Sequence, residues 1–429
     1  MFMVAVATFA HSPHYDIALQ LDPAASRWSA QVDATAIRYR GDVARLYFHR
    51  GIVIRTAEVD GKIVQPLIDP PDATPFWISA DHAIDVPCPK RTLRLRYDGP
   101  GKLHPDGRNQ VSPELVELSL YGGWYPLTSL DDRFTWTLRT ALPKAWHYAT
   151  PTYARETVAA GKRQLRMRST TPADVVFVAS PRFTVLPIVE GGVAARVFYR
   201  DTINPAEQAR AVELGKDGAG MAAWLQGLIG PASKDAALRP DVVFTLRGGS
   251  LSYSRLPLII LREQTLSEAG DRDARLNIRH EIAHFWSRAK GAPNDWINEG
   301  VAEYLAIVRT GDVEGPASRA AIIAKYRAAA AAAGPGEPIA TAGDDDRGYI
   351  NRYVRPALML DASEHAAGRV RMEDFLRRFA ALGEGQDTAA FRRLAIDALG
   401  PEAGGTLSRC LDARDWPAAC GGSTRQSNA

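Results

Sequence analysis

The sequence predicts an α+β protein in which an all-β, sandwich-like N-terminal domain precedes a mixed domain with a short helical C-terminal part. Two observations predict this class. Up to about residue 187 the chain has short apolar runs and alternating apolar and polar residues, separated by turn sequences. Beyond that point apolar residues recur mostly with helical spacing, interrupted by two short apolar runs. We therefore place a domain boundary near residue 190.

The predicted β domain covers residues 13–190. Its strand-like stretches are YDIALQLD, WSAQVDATAIRY, ARLYFHR, TLRLRYDG, FTWTLRTALP and DVVFVAS. Turn signals such as DGK and DGP lie between them, because glycine adopts the backbone angles that tight turns require. Many short strands with turns between them favour packed sheets over a helical bundle.

The first residues, MFMVAVATFA, are apolar, and small residues at 5–7 stand where a signal peptidase would cleave. The basic start of a signal peptide is missing, so residues 1–12 are a candidate remnant of a signal peptide, and the alternative is a frayed N-terminus. Cys410 and Cys420 bracket a loop short enough to close with a disulfide, although both are equally compatible with free thiols. Together these features favour a periplasmic or secreted protein.

The second predicted domain, residues 191–429, begins with a helix that has Pro205 just inside its start. The apolar runs DVVFTLR and LPLIILRE then predict two strands. Helices are predicted at about 272–289, 295–309, 316–333, 353–366, 372–382 and 387–399. The alanine run before Gly334 and Pro335 reflects helix propensity, and these two residues end its helix.

The overall charge and composition argue against several functions. The net charge of +3 is small for 429 residues, and no basic stripe with interleaved aromatic residues indicates nucleic-acid binding. No apolar run approaches the ~18 residues that a transmembrane helix needs. The sequence leaves the oligomeric state open.

The sequence HEIAH lies within an apolar-periodic helix. His280 and His284 are four residues apart, so both imidazoles lie on one helix face and can reach one metal ion. Glu281 is next to that face and can act on a water held by the same ion. The alternative without metal binding is a helix that carries two histidines for packing or solvation.

A catalytic zinc site needs three protein ligands and one open position. The stretch WINEGVAEY, on the next predicted helix, offers Glu299 and Glu303, which are one turn apart on one helix face. Either glutamate can be the third ligand, and either can be an ordinary solvated carboxylate.

HEIAHFW followed by WINEGVAEY resembles the gluzincin metallopeptidases, specifically the M1 zinc metallopeptidases of the aminopeptidase N and leukotriene A4 hydrolase superfamily. In that family the glutamate of a W-x-N-E-G motif is the third zinc ligand, which implies Glu299. The family's usual spacing of eighteen intervening residues instead leads to Glu303. We give the local motif more weight than the spacing because loops absorb deletions easily. Glu303 would then hold the ring N–H of a ligand histidine.

The resemblance extends, more weakly, along most of the chain. It implies a β domain followed by a thermolysin-like zincin catalytic domain. YVRPALMLD resembles the family's Y-x-K-G-A segment, which makes Tyr353 the candidate that stabilises the oxyanion, with Tyr349 as a second tyrosine nearby. The family's G-x-M-E-N glutamate, which binds the substrate's free amine, has no counterpart here, and Ser254 falls near its place. This departure puts aminopeptidase specificity in doubt.

The resemblance implies a zinc-dependent peptidase that cleaves a peptide substrate. Zinc lowers the pKa of a bound water to about 7, Glu281 is the general base, and Tyr353 supports the developing negative charge. Two alternatives remain at this point. The same site can serve another zinc hydrolase, or the chain can be a catalytically silent protein of M1-like fold that only binds.

Overall fold

The computed structural model describes residues 13–416 and Cys420, except for 38–41, 74–79, 106, 129–133, 170–173, 233–237, 249–251, 268–270, 290, 292–293 and 342–347. The candidate signal-peptide remnant, residues 1–12, lies outside the described residues. Within them, no helix has both the length and the apolar character that crossing a membrane requires.

The N-terminal half of the chain is β-sheet, as its alternating pattern predicts. Its strands are β1 (His14–Asp22), β2 (Arg27–Thr35), β3 (Val43–Phe48), β4 (Val53–Val59), β5 (Lys62–Val64), β6 (Leu67–Ile68), β7 (His82–Pro87), β8 (Thr92–Pro100), β9 (Gln110–Val111), β10 (Val116–Leu118), β11 (Thr135–Pro143), β12 (His147–Ala149), β13 (Ala154–Ala159), β14 (Lys162–Ser169) and β15 (Phe177–Ser180).

These strands form three sheets around a shared apolar core. The largest has the order β13-β14-β11-β1-β2-β8-β4-β5, and the smaller ones are β12-β15-β10-β9 and β3-β7-β6. In β1, Tyr15 and Ile17 are buried while their neighbours in the strand are less so, because successive side chains point to opposite faces. Trp136 from the large sheet, and Phe48 and Phe177 from the smaller ones, lie in that core.

A further sheet, of five strands, belongs with the helical half. Its strands are β16 (Phe183–Glu190), β17 (Val193–Arg200), β18 (Asp241–Thr245), β19 (Tyr253–Arg255) and β20 (Leu258–Arg262), in the order β16-β17-β18-β20-β19. The hairpin β16–β17 spans the predicted boundary near residue 190 and pairs with β18. β19 is an edge strand, antiparallel to β20.

The helices of the second half are α1 (Pro205–Leu228), α2 (Asp271–Ala283), α3 (Asp295–Glu314), α4 (Pro316–Ala333), α5 (Arg355–Ala367), α6 (Arg369–Ala381), α7 (Thr388–Leu399) and α8 (Pro401–Asp412). α1 begins with a capping box, in which Asn204 and Glu207 satisfy each other's backbone N–H groups. α3 packs against α2, α4 and α5, so it is the central helix of this half.

The largest differences from the helix predictions are at α2 and α8, and α3 ends at Glu314 and not near residue 309. α2 ends at Ala283 and not near residue 289, because Phe285 and Trp286 turn back to bond the carbonyls of Ile282 and Ala283. This turn lets the Trp286 indole N–H reach the carbonyl of Gly230. Helix α8 was not predicted from the sequence, because its two glycines at 404 and 405 weaken its helical pattern.

Helix α8 carries one half of a disulfide. Cys410 is bonded to Cys420, with their Cα atoms 5.6 Å apart. The pairing that the sequence left open is therefore present. The bond ties Cys420 back onto α8.

Candidate active site

The two histidines of the HEIAH sequence lie at the C-terminal end of α2. His280 is in the last helical turn, and His284 follows it with its N–H still directed at the carbonyl of His280, at 3.3 Å. The opposite face of α2 is apolar, and Ile278 and Ile282 are fully buried in the core. Burial of that face turns both imidazoles toward α3.

Glu299, in the second turn of α3, meets both imidazoles. Its Oε2 lies 3.2 Å from Nε2 of His280 and 3.4 Å from Nε2 of His284. The ligand atoms of the three residues all lie within 4.8 Å of one another, and they are the group that can hold a metal ion among the described residues. Ligands about 2.0–2.1 Å from a tetrahedral zinc ion lie about 3.3 Å apart, so the two distances to Glu299 fit zinc.

Glu303 lies on the other side of His280. Its Oε2 is 2.7 Å from Nδ1, the ring nitrogen that faces away from Glu299. The two glutamates therefore take different positions: Glu299 is beside both Nε2 atoms, and Glu303 is beside the second nitrogen of one imidazole. The Glu303 side chain is 7% exposed and that of Glu299 is 18% exposed, so Glu299 is the more accessible of the two.

The charges at this site favour a bound cation. Burial alone lowers the pKa of His280, but Glu299 and Glu303 outweigh burial and raise it well above its usual value. Burial likewise raises the pKa of Glu299, yet the imidazoles of His284 and His280 hold it well below its usual range. The carboxylates thus attract positive charge to the His280 ring, as a proton or, in its place, a metal ion.

Glu281 is buried beside the two histidines. Its Oε2 has no hydrogen-bond partner among the described residues, although the atom is not exposed. Burial raises the pKa of Glu281, against the opposing charges of His284 and His280. A buried carboxylate with an unused oxygen has the capacity to accept a proton from a molecule that enters the site.

Tyr353 comes to the site from a π-helical turn, Ile350–Val354, that precedes α5. Its ring stacks on His280, with centroids 5.5 Å apart, and its hydroxyl makes a hydrogen bond with Glu299. Tyr349 stacks in turn on Tyr353 at 5.3 Å. The structure therefore brings both sequence-predicted tyrosines to the histidine pair. Burial and the adjacent Glu299 raise the pKa of Tyr353, so its phenol keeps its proton.

Three residues near the site were not predicted from the sequence. Tyr326 of α4 donates a hydrogen bond to Oε1 of Glu303. In the sequence it lies just before the alanine run and belongs to no recognisable motif. Glu117 of β10 and Arg247, just after β18, are both fully buried, with Nη2 of Arg247 3.8 Å from Oε1 of Glu117. Arg247 also adds to the charges that oppose the rise in the pKa of Glu281. Only the packing of one half of the chain on the other reveals this pair.

Ser254 lies on the edge strand β19 and is nearly buried. Its backbone pairs with Ile259 of β20. The residue before it, Tyr253, lies under the guanidinium of Arg247, with 4.8 Å to the ring centroid. The edge strand therefore presents a neutral serine, with a cation nearby, at the position that the family resemblance associates with an amine-binding glutamate.

Comparison with family profiles and with curated protein sequences finds no match. Comparison with solved structures does. The chain is similar to an M1 zinc metallopeptidase mutant from Deinococcus radiodurans, with a TM-score of 0.69, 20% identity and 94% of this chain and 95% of that chain covered. For a structure of the same protein bound to a Tyr-Ser-Ala substrate, the TM-score is 0.69 and the identity is 22%, with 94% of this chain and 95% of that chain covered. For a two-domain M1 zinc metallopeptidase mutant bound to L-arginine, the TM-score is 0.72 and the identity is 21%, with 94% of each chain covered.

The sheet-rich N-terminal half and the helical C-terminal half thus make up the two-domain fold of the M1 zinc metallopeptidases. The M1-like resemblance of the sequence is confirmed at the level of the fold. It holds over nearly the whole of both chains, well beyond the HEIAH and WINEG segments that suggested it.

Proposed function

We propose that this chain is a zinc-dependent metallopeptidase that hydrolyses peptide bonds, with a thermolysin-like catalytic domain. The observation that carries the proposal is the spacing of His280, His284 and Glu299, whose ligand atoms fit one tetrahedral zinc ion. The fold supports it, because structures of this fold are zinc metallopeptidases and one of them holds a peptide substrate.

Each residue of the candidate site has a separate role in the proposed hydrolysis. Zinc, when bound by His280, His284 and Glu299, supplies Lewis-acid chemistry and lowers the pKa of a coordinated water to about 7. Glu281 accepts the proton of the attacking water on its unpartnered Oε2 and later passes it to the leaving amine. The Tyr353 hydroxyl, which keeps its proton, donates a hydrogen bond to the carbonyl oxygen as that oxygen gains negative charge.

Metal analysis combined with peptide hydrolysis tests this function. Purified protein should contain about one zinc per chain and should cleave unstructured peptides. A chelator should abolish cleavage, and added zinc should restore it. The double variant His280→Ala, His284→Ala should hold no zinc at this site. Stoichiometric zinc in that variant would refute the site. Bound zinc with no turnover on any peptide would favour another hydrolase activity or a silent binding protein.

We also propose that the protein works in the periplasm or outside the cell. The Cys410–Cys420 disulfide supports this location, since disulfides persist in oxidising compartments and are rare in a reducing cytosol. Cell fractionation, with thiol labelling before and after reduction, tests it. Protein found in the cytosol with both cysteines reduced would contradict the proposal.

A further inference from the structure

Tyr326 lies two contacts away from a candidate zinc ligand. It projects from α4, is 5% exposed, and donates its hydroxyl hydrogen to Oε1 of Glu303. The other oxygen of that carboxylate lies 2.7 Å from Nδ1 of His280. Tyr326, Glu303 and His280 therefore form a line that runs from α4 through α3 to α2.

Tyr349 joins this line at its outer end. Its hydroxyl is hydrogen-bonded to that of Tyr326. A phenol has one hydrogen, and Tyr326 gives its own to Glu303, so Tyr326 accepts the hydrogen of Tyr349. Tyr349 also stacks on Tyr353, which stacks on His280. The contacts thus close a ring that joins α2, α3, α4 and the π-helical turn.

The Glu303 carboxylate depends on Tyr326 for its orientation. It is buried, so each oxygen needs a partner from the protein, and the two that the structure supplies are the Tyr326 hydroxyl and the His280 ring. Without the hydroxyl, Oε1 would be buried and unpaired, and the carboxylate would turn toward another partner. A histidine that gives its second N–H to a fixed carboxylate is held in one orientation and is a stronger metal ligand.

We propose that Tyr326 is a positioning residue for the metal centre. It fixes Glu303 so that Nδ1 of His280 carries the hydrogen and Nε2 remains free for the metal. Through Tyr349 it also connects the metal centre to the turn that carries Tyr353. This inference rests on the proposed zinc site, but it concerns metal affinity and does not require that the substrate be a peptide.

A second tyrosine provides a matched control. Tyr304 is also fully buried and donates its hydroxyl to a glutamate, 2.8 Å from Oε2 of Glu364. It lies on α3, the helix that carries Glu303, but Glu364 contacts Arg319 and Arg369 and no candidate metal ligand. Tyr304→Phe and Tyr326→Phe therefore remove the same group from similar surroundings, and only one of the two sites is connected to His280.

The experiment measures zinc affinity of the metal-free protein by competition with a chromophoric chelator, alongside urea unfolding. Both variants should unfold at lower urea than the unmodified protein. Only Tyr326→Phe should weaken zinc binding, by about 10- to 100-fold, the usual effect of losing an outer partner of a ligand. Equal zinc affinity in both variants would overturn the inference. Failure of the unmodified protein to bind zinc would instead overturn the proposed function.

Two further variants keep the test decisive if Tyr326→Phe does not fold. Tyr349 is 55% exposed, so Tyr349→Phe should fold normally and weaken zinc binding in the same direction, but less. In a Glu303→Gln background the Tyr349→Phe change should have no further effect on zinc affinity, because the carboxylate through which it acts is gone. Unchanged affinity in Tyr349→Phe, or fully additive losses in the double variant, would contradict the role of Tyr326.

Discussion

At the scale of single residues, Glu299 and Glu303 of α3 differ by the imidazole nitrogen that each one faces. Glu299 lies beside Nε2 of both His280 and His284, whereas Glu303 lies beside Nδ1 of His280 alone. Both are on one face of one helix, so the sequence alone left their roles open. One helical turn of displacement along α3 is enough to move a carboxylate from the metal side of an imidazole to its far side.

The first prediction separates these roles. Glu299→Ala should remove a ligand and abolish tight zinc binding. Glu303→Ala should weaken it only by about 10- to 100-fold, because it removes the partner of a ligand. Competition titration of the metal-free variants measures both constants. The opposite order of affinities would show that the family's usual spacing, and not its local motif, identifies the third ligand.

The second prediction concerns Glu281. Glu281→Gln should retain zinc, since this side chain is not among the three ligand residues. The rate of peptide cleavage should fall by about 10² to 10⁴, the contribution that general-base catalysis makes. Zinc content and kcat on one peptide are the measurements. Unchanged turnover with zinc still bound would require a different base.

The third prediction concerns the neutral Ser254. Selectivity for a free N-terminus needs a carboxylate that pairs with the ammonium group, and burying that group unpaired is costly. Glu303 is not available to pair with the ammonium group, because its two oxygens are directed at Tyr326 and His280. N-acetylated peptides should therefore be cleaved within about tenfold of free ones, or about 1.4 kcal/mol in transition-state binding.

Comparing kcat/KM for a matched pair of peptides, free and N-acetylated, tests that prediction. A thousandfold preference for the free amine would reveal an anchor. Glu117 would then be the first residue to replace, because it is the fully buried carboxylate beside Arg247, and Arg247 is close enough to act on Glu281.

At the scale of elements, the approach of α3 to the π-helical turn and α5 explains the glycine of the WINEG sequence. A Cβ on Gly300 would lie 2.3 Å from Cβ of Pro356 and 3.1 Å from the carbonyl oxygen of Arg352. Gly300 follows Glu299, and the π-helical turn carries Tyr353. The close contact therefore limits how far Glu299 can lie from Tyr353, the tyrosine proposed to stabilise the oxyanion.

The fourth prediction follows from this contact. Gly300→Ala should destabilise the protein by about 1–3 kcal/mol, the usual effect of overpacking, and should reduce kcat by displacing Tyr353. Gly227→Ala is the control, because nothing lies within 4 Å of a Cβ at that helical position. It should stabilise α1 by up to about 1 kcal/mol. Urea unfolding measures both, and a Gly300→Ala protein as stable and active as the original would contradict the packing argument.

At the scale of the whole molecule, a buried polar cluster joins the N-terminal sheets to the helical half. Glu117 of β10 accepts a hydrogen bond from Thr245 of β18 at 3.0 Å, and Arg247 lies 3.8 Å from its other oxygen. Both charged side chains are about 1% exposed or less. A buried charge is tolerated only when it is paired, so this cluster specifies how the two halves pack.

The fifth prediction tests that contact. Arg247→Met should leave the Glu117 carboxylate buried without its cation and should destabilise the protein by about 3–5 kcal/mol. The exposed pair Arg27 and Asp22, whose side chains are 74% and 55% accessible, is the control. Arg27→Met should change stability by less than about 1 kcal/mol. Urea midpoints give the comparison, and equal effects would mean that the buried pair does not hold the halves together.

Much of the fold was predictable because its signals are local. Alternating or apolar runs predicted β1, β2, β3, β8, β11 and β15, and helical spacing predicted the ends of α4, α5 and α7 to within two residues. The missed features depend on neighbours. α2 ends early because Trp286 turns to reach Gly230, and α8 is stabilised as a helix by packing, with Gly404 against the end of α7.

The sequence by itself determined the candidate metal-binding face, because a spacing of four residues places His280 and His284 together on any α-helix. Only the tertiary structure shows which nitrogen of His280 each glutamate faces and which residues contact them. That outcome depends on how α2, α3 and α4 pack, which brings Glu299 to Nε2 and joins Tyr326 to His280 through Glu303. Helix periodicity fixes positions within one helix, whereas distances between helices come from side-chain packing across the whole core.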